Sequence, residues 1–219
     1  MMKVGVLLTA VAATALAAPA YAEAGDIYLR VRGIMVAPNE DSGSVLPAFP
    51  GETVSVNNSV MPEVDISYMA TDNIGFELIA ATTKHDASGV TGTTGSLGRL
   101  ASTWVLPPTL TAQFHPIKAG PFRPYVGVGV NYTIFYSEKA SNSLEGAVGP
   151  TKVSMKDSFG WAAQAGMDFD ISEKLFFNID VKYIDIDTTA TLRTTAAGTQ
   201  KVKISLDPFV FGVGIGFRL

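Results

Sequence analysis

The stretch that decides the fold is FVFGVGIGFRL, residues 209–219. Glycine alternates there with bulky apolar residues, and two structures use glycine in this way. A dinucleotide-binding loop places its glycines between a strand and a helix whose N-terminus holds a phosphate, with an acidic residue roughly 20 positions later. Only Phe217, Arg218 and Leu219 follow Gly216, so that reading fails. The similar VGVGV at 126–130 runs on into NYTIFY, which reads as strand and not helix. As a strand, residues 209–219 put Phe209, Phe211, Val213, Ile215, Phe217 and Leu219 on one face. Gly212, Gly214, Gly216 and Arg218 take the other, because successive side chains of a strand point to opposite sides. One face is continuously apolar, and the other is small and polar.

The other end of the chain indicates the environment. Lys3, the apolar run VGVLLTAVAATALAA and the small-x-small triplet Ala20-Tyr21-Ala22 have the layout of a secretory signal peptide. Cleavage is expected after Ala22, which divides the chain into 1–22, removed, and 23–219, a single domain. Loss of Lys3 shifts the net charge from −4 to −5, which argues against a nucleic-acid partner. No later segment approaches the roughly 18 apolar residues of a membrane-spanning helix. Yet 47% of residues are hydrophobic and only 16% charged, which is sparse for an exported water-soluble domain. With no cysteine, the fold has no disulfides to stabilise it.

Alternating segments recur at about 26–37, 61–71, 74–83, 103–115, 122–136, 156–170, 175–188 and 203–219. The connections between them sort by length. Thr71-Asp72-Asn73, Pro116 to Pro121 and Ile171 to Lys174 are tight turns. Pro38 to Val60, Lys84 to Ser102, Ser137 to Met155 and Thr189 to Val202 are long and rich in Gly, Ser and Thr. Short turns on one side and long loops on the other mark an outer-membrane barrel. The expected fold is therefore all-β: an eight-stranded antiparallel transmembrane β-barrel with short periplasmic turns and long extracellular loops. Val126, Val128 and Val130 would face lipid, and Gly127, Gly129 and Asn131 the lumen. Trp104, Tyr132, Tyr136 and Tyr183 would form an interfacial girdle.

Several stretches carry a family resemblance: YMATDNIGFELIAAT (68–82), LPPTLTAQFHP (106–116), FRPYVGVGVNYTIF (122–135), KDSFGWAAQAGMDF (156–169), YIDIDTTA (183–190) and LDPFVFGVGIGFRL (206–219). Together they resemble the OmpW family of small outer-membrane barrels, which includes alkane-uptake proteins. The resemblance implies eight strands around a narrow hydrophobic channel for small apolar molecules. Leu219 stands where such barrels usually end in an aromatic, and Phe159 where the family can carry tryptophan.

The inward face divides by height. Arg30, Arg32, Glu77, Arg123, Asp168, Asp180, Lys182 and Arg218, joined by Glu63 and Asp65, are expected to form a paired charge network, since isolated buried charges are costly. Ile34, Val36, Met61, Val105, Phe135, Ile184 and Ile186 are expected to line an apolar path nearer the long loops. An apolar funnel above a polar plug suggests passive uptake of small hydrophobic molecules, with release sideways into the bilayer. The alternative is a structural or receptor barrel that displays its loops to phage, bacteriocins or host surfaces. Catalysis is not expected: a Ser–His pair needs hydrogen-bond reach, and His85 near Ser88 or Ser102 has no fixed geometry in the sequence. Two separated histidines without cysteine give no metal site, and no cofactor is expected. Expected partners are outer-membrane lipid and lipopolysaccharide, small apolar solutes, and the barrel-assembly machinery acting through the C-terminal strand.

Overall fold

A computed structural model describes residues 23–117 and 120–219. The expected signal peptide, 1–22, lies outside the described residues, as do Lys118 and Ala119 of one expected tight turn.

Eight strands close on themselves: β1 (Ile27–Ala37), β2 (Ser59–Met69), β3 (Ile74–Ala81), β4 (Thr109–Phe114), β5 (Phe122–Ala140), β6 (Ser158–Asp170), β7 (Leu175–Ile184) and β8 (Phe209–Arg218). Each pairs antiparallel with its sequence neighbour, and β1 pairs with β8 from Tyr28↔Arg218 to Ala37↔Phe209. Closure satisfies every strand edge, as hydrocarbon surroundings require. The turns at one end are tight. Thr71 Oγ1 accepts the Asn73 and Ile74 amides, and the Ile171 and Ser172 amides donate to the Leu175 carbonyl.

The outward face is apolar and exposed around the ring, with Val126, Val128 and Val130 at 54%, 66% and 47%. The buried side chains below mid-height are mostly polar and charged, the inverse of a water-soluble barrel. The glycines of β8 have a steric cause. A Cβ on Gly214 would lie 2.1 Å from the Val31 carbonyl oxygen, and one on Gly216 would lie 2.2 Å from the Phe176 ring. The lumen volume beside the closing strand is already occupied by Arg32 and Phe176, so side chains are excluded there. Trp104 stacks on Tyr136 with ring centroids 6.4 Å apart, and Trp161 meets Tyr183 at 5.1 Å, marking the upper membrane boundary.

The long connections differ from the expected polar loops, because much of their length is strand. β5 has 19 residues, where a membrane crossing needs about 9–11. Its upper part pairs with Arg99–Leu106, which pairs with Thr83–Gly89 and, through it, Val54–Val56. On the opposite side Thr151–Met155, Asp187–Thr194, Gly198–Ser205 and Asp41–Ser42 form a four-stranded sheet. The inward phase of these segments carries apolar Val153, Leu192, Val202 and Ile204 together with buried polar Thr83, His85, Thr188 and Gln200. Two short helices complete the top. α1 (Gly92–Leu97) receives the Glu52 carboxylate on its Thr93 and Thr94 amides at 2.9 and 2.7 Å. α2 (Asn142–Val148) is capped by Ser141, whose hydroxyl accepts the Leu144 amide.

Candidate functional site

The lumen contains two stacked compartments. Period-two alternation on β1 aims Arg30 and Arg32 inward, and the registers Arg30↔Asp65 and Arg32↔Glu63 put a carboxylate opposite each. Arg30 donates to Asp65 Oδ1 at 3.0 Å, Ser67 Oγ at 2.7 Å and Asp168 Oδ2 at 3.3 Å. Arg32 Nη2 lies 2.7 Å from Asp65 and 3.0 Å from Glu77, and its Nη1 donates to Asn178 at 3.1 Å. Its Nε is 2.8 Å from Glu63 without hydrogen-bond alignment, so the attraction there is coulombic. Lys182 bridges Glu63 and Asp180. Glu77 also accepts from Gln113 and Gln164, at 2.8 and 2.7 Å. These charges are buried, so the network depends on each having partners; charges left unpaired in a dry interior carry a desolvation cost of several kcal/mol.

Below the network, guanidiniums and rings fill the bore. Arg30, Arg123 and Arg218 lie 5.5–5.6 Å from the Tyr28 ring centroid, and Arg30 and Arg123 lie 5.5 and 5.3 Å from that of Phe176. Arg123 also pairs with Asp170 at 2.7 Å. Arg218 sits at the periplasmic rim, 3.7 Å from Asp26 and 3.8 Å from Asp170. Eight strands leave an interior just wide enough for side chains, and here they occupy it.

Above the Glu63–Lys182 pair the lumen becomes an apolar cavity of about 100 Å³. Ile34, Val36, Val105, Phe135, Ile184 and Ile186 line it, together with residues from the tall connections such as Val45, Val54, Leu100, Val153, Val202 and Leu206. Met61 lies opposite Ile34 in the register but is outside the lining. Phe159 faces outward and is 73% exposed. His85 is at the cavity wall, its ring nitrogens against the Asn57 carbonyl and the Thr83 hydroxyl at 2.9 and 3.0 Å. His115 is buried at the other end, against Gln113 and the Tyr125 ring.

Sequence reading missed Tyr28 and Phe176 in the plug and Asp170 in its ion pairs. Their alternation was legible, since Phe176 is out of phase with lipid-facing Phe177, but the stacking depends on closure. It also missed the upper apolar residues, because TATLRT and QKVKIS resemble loop sequence until each is paired.

The OmpW family profile matches residues 23–219. The chain is 40% identical over 207 residues to Outer membrane protein W of Escherichia coli, covering 94% of each. It is 29% identical over 172 residues to Outer membrane protein AlkL of Ectopseudomonas oleovorans, covering 78% of this chain and 70% of that one. The crystal structure of OprG from Pseudomonas aeruginosa superposes with a TM-score of 0.84 at 30% identity, covering 90% of this chain and 97% of that one. A closed eight-stranded barrel with a lipid-facing apolar exterior and a charge-filled lower bore, similar over nearly its whole described length to these outer-membrane proteins, belongs to the OmpW family.

Proposed function

We propose that the barrel admits small hydrophobic molecules from outside into its upper lumen and releases them sideways into the bilayer. The observation that carries this reading is the division of the lumen: an apolar cavity directly above a fully occupied plug of paired charges. An apolar solute gains about 25 cal/mol per Å² on leaving water for such a lining, and gains nothing by displacing ion pairs below. An apolar cavity of roughly 150 Å³ accepts a benzene-sized molecule, so a slight widening at the top would suffice here.

The wall also has a weak point at the right height. The β3–β4 ladder stops at Ile79↔Thr109 and resumes above at Thr83↔Val105. Pro107 and Pro108 occupy the gap and have no N–H to donate. Ala81 and Pro107 both line the cavity, so the interrupted ladder lies between cavity and lipid. A lateral path there avoids the plug.

The test is uptake by a deletion strain carrying the parent gene or the Ile186→Asp variant. Ile186 is 3% exposed and lines the cavity, and its new carboxylate would have no lysine two residues below, as Ile184→Asp would. Uptake of short alkanes should fall about tenfold, equivalent to ~1.4 kcal/mol, while heat-modifiable mobility and surface exposure persist. Arg32→Ala with Asp180→Ala should raise ion leakage without accelerating uptake. If the deletion strain takes up several apolar solutes as fast as the complemented strain, transport fails and loop display becomes the better reading.

A further inference from the structure

The apolar cavity is walled by two upper sheets, and the seams between those sheets differ from the rest of the wall. Lower down, β5 and β6 share a ladder whose top rung is Thr133↔Ser158. Above that rung the strands part. Residues 134–140 stay with Arg99–Leu106, while Thr151–Met155 pair with Asp187–Thr194 on the other sheet. Among the described residues no backbone hydrogen bond joins 134–140 to 151–157. Two carboxylates close the seam instead. Asp157 accepts the Phe135 amide and the Tyr132 hydroxyl, and Glu138 accepts the Met155 amide, each at 3.2 Å.

The opposite seam, between Asp41–Ser42 and Val54–Val56, also uses side chains: Ser42 accepts the Val54 amide and Glu40 the Val56 amide. There, however, the Val45 amide reaches the Glu52 carbonyl at 3.0 Å, so a backbone rung shuts the top. Over the β5–β6 seam lies only α2, tethered by the Ser141 amide to the Leu100 carbonyl and by the Val148 carbonyl to the Ala196 amide. Its sides can part while its ends stay tied.

The course of β5 is altered to supply one of these latches. Asn131, Thr133 and Phe135 point inward, but Ser137 takes a φ of 54°, a left-handed value costly for a residue other than glycine. It lies against the register shift between Ser102 and Trp104. Such a bulge adds one residue and reverses the phase. Glu138 therefore shares the inward phase with Ala140, which packs on the core; an unbulged strand would turn Glu138 outward. Immediately behind the latches are Phe135 on one edge and Val153 and Met155 on the other, all lining the cavity. Met155 adds an unbranched thioether that yields to different shapes.

On the reading of the cavity as a solute site, we propose that the β5–β6 seam is its entrance. Apolar molecules pass between Phe135 and Met155 when Glu138 and Asp157 release the opposing amides. The seam starts beside Tyr136, at the aromatic boundary, and rises outside the hydrocarbon. Entry there is separate from the interrupted β3–β4 ladder through which solute leaves.

The chain has no cysteine, so Val153→Cys places a single thiol in the cavity beside the seam. The refolded full barrel carrying it, in zwitterionic micelles, is labelled with N-ethylmaleimide, a small uncharged reagent whose rate reports local opening. Adding Glu138→Ala with Asp157→Ala should speed labelling about tenfold, because hydrogen bonds to charged acceptors hold this opening closed. Adding Glu40→Ala with Ser42→Ala instead should leave the rate within about twofold, since the Val45–Glu52 rung remains. Heat-modifiable mobility reports that each variant is folded. Labelling of the latch variant at the parent rate, or equal acceleration by the opposite-seam variant, overturns the proposal even where uptake depends on the protein. Labelling that responds as expected, beside alkane uptake that is the same with and without the protein, upholds the seam as the way into the cavity and removes the transport reading.

Discussion

Replacing Arg32 with methionine tests whether the charge network holds the barrel together. Arg32 lies within 4 Å of four carboxylates: Asp65 at 2.7 Å, Glu63 at 2.8 Å, Glu77 at 3.0 Å and Asp180 at 3.8 Å. Methionine keeps most of the side-chain volume and removes the charge. Each carboxylate retains a second cation, Arg30 for Asp65 and Glu77 and Lys182 for Glu63 and Asp180, but the local balance turns negative. Removing one partner of a buried pair costs about 3–5 kcal/mol. Arg218→Met is the matched control, because its pairs are longer, 3.7 and 3.8 Å, and its side chain is partly exposed at the rim. Longer pairs beside a rim open to water contribute less than fully enclosed ones, so Arg218→Met should cost less than Arg32→Met. Equilibrium urea unfolding in phospholipid vesicles measures both, and an unchanged denaturant slope indicates that the same surface is exposed in each case. If Arg32→Met lay within 1 kcal/mol of Arg218→Met, the network would be a passive filling and the reasoning would fail.

Two further outcomes follow from the lipid boundary and the loop caps. Val128 and Val90 are similarly exposed, at 66% and 54%, yet only Val128 is on a membrane-crossing face; Val128→Arg should cost about 2–4 kcal/mol in the same titration, Val90→Arg almost nothing, and equal costs would place β5 outside the bilayer. Glu52 caps α1 through the Thr93 and Thr94 amides, and those hydrogen bonds hold its carboxyl below the usual range; a depressed folded value means the stabilisation is full above the unfolded value, about 4.3, and is lost as pH falls through the folded one. Amide exchange at Thr93 and Thr94 should therefore stay slow at neutral pH and accelerate, beyond its intrinsic pH dependence, only below that range, whereas Glu52→Gln should exchange faster at neutral pH and lose the extra acid step; an identical profile in both would contradict the cap.

Much of the barrel was legible because its signals are local. The inward–outward alternation of β5 to β8, the tight turns at Thr71–Asn73 and Ile171–Lys174, and the sorting of connections by length each occupy a few consecutive residues. A strand's two-residue period converts such patterns directly into faces. The inward charges were legible for the same reason, since Asp180 and Lys182 stand in phase with Asn178, and Arg30 and Arg32 alternate with Leu29 and Val31.

Which charge meets which was not legible. Arg30 and Asp168 are 138 residues apart and meet only because β1 and β6 are brought across one narrow bore. The tall connections were hidden too. Thr189, Ala190, Thr191 and Leu192 carry too little apolar contrast to read as a two-faced strand, and only pairing with Gly198–Ser205 turns Leu192 and Ala190 into a wall of the cavity. The sequence by itself determined the class of fold, the side of each strand that meets lipid, and the inventory of charges in the lumen, because these depend on neighbours one or two residues away. Closure of the ring decided the rest: which opposite charges pair, which glycines must stay bare against Arg32 and Phe176, and where the lumen changes from plug to apolar cavity, since those depend on side chains that meet across the bore.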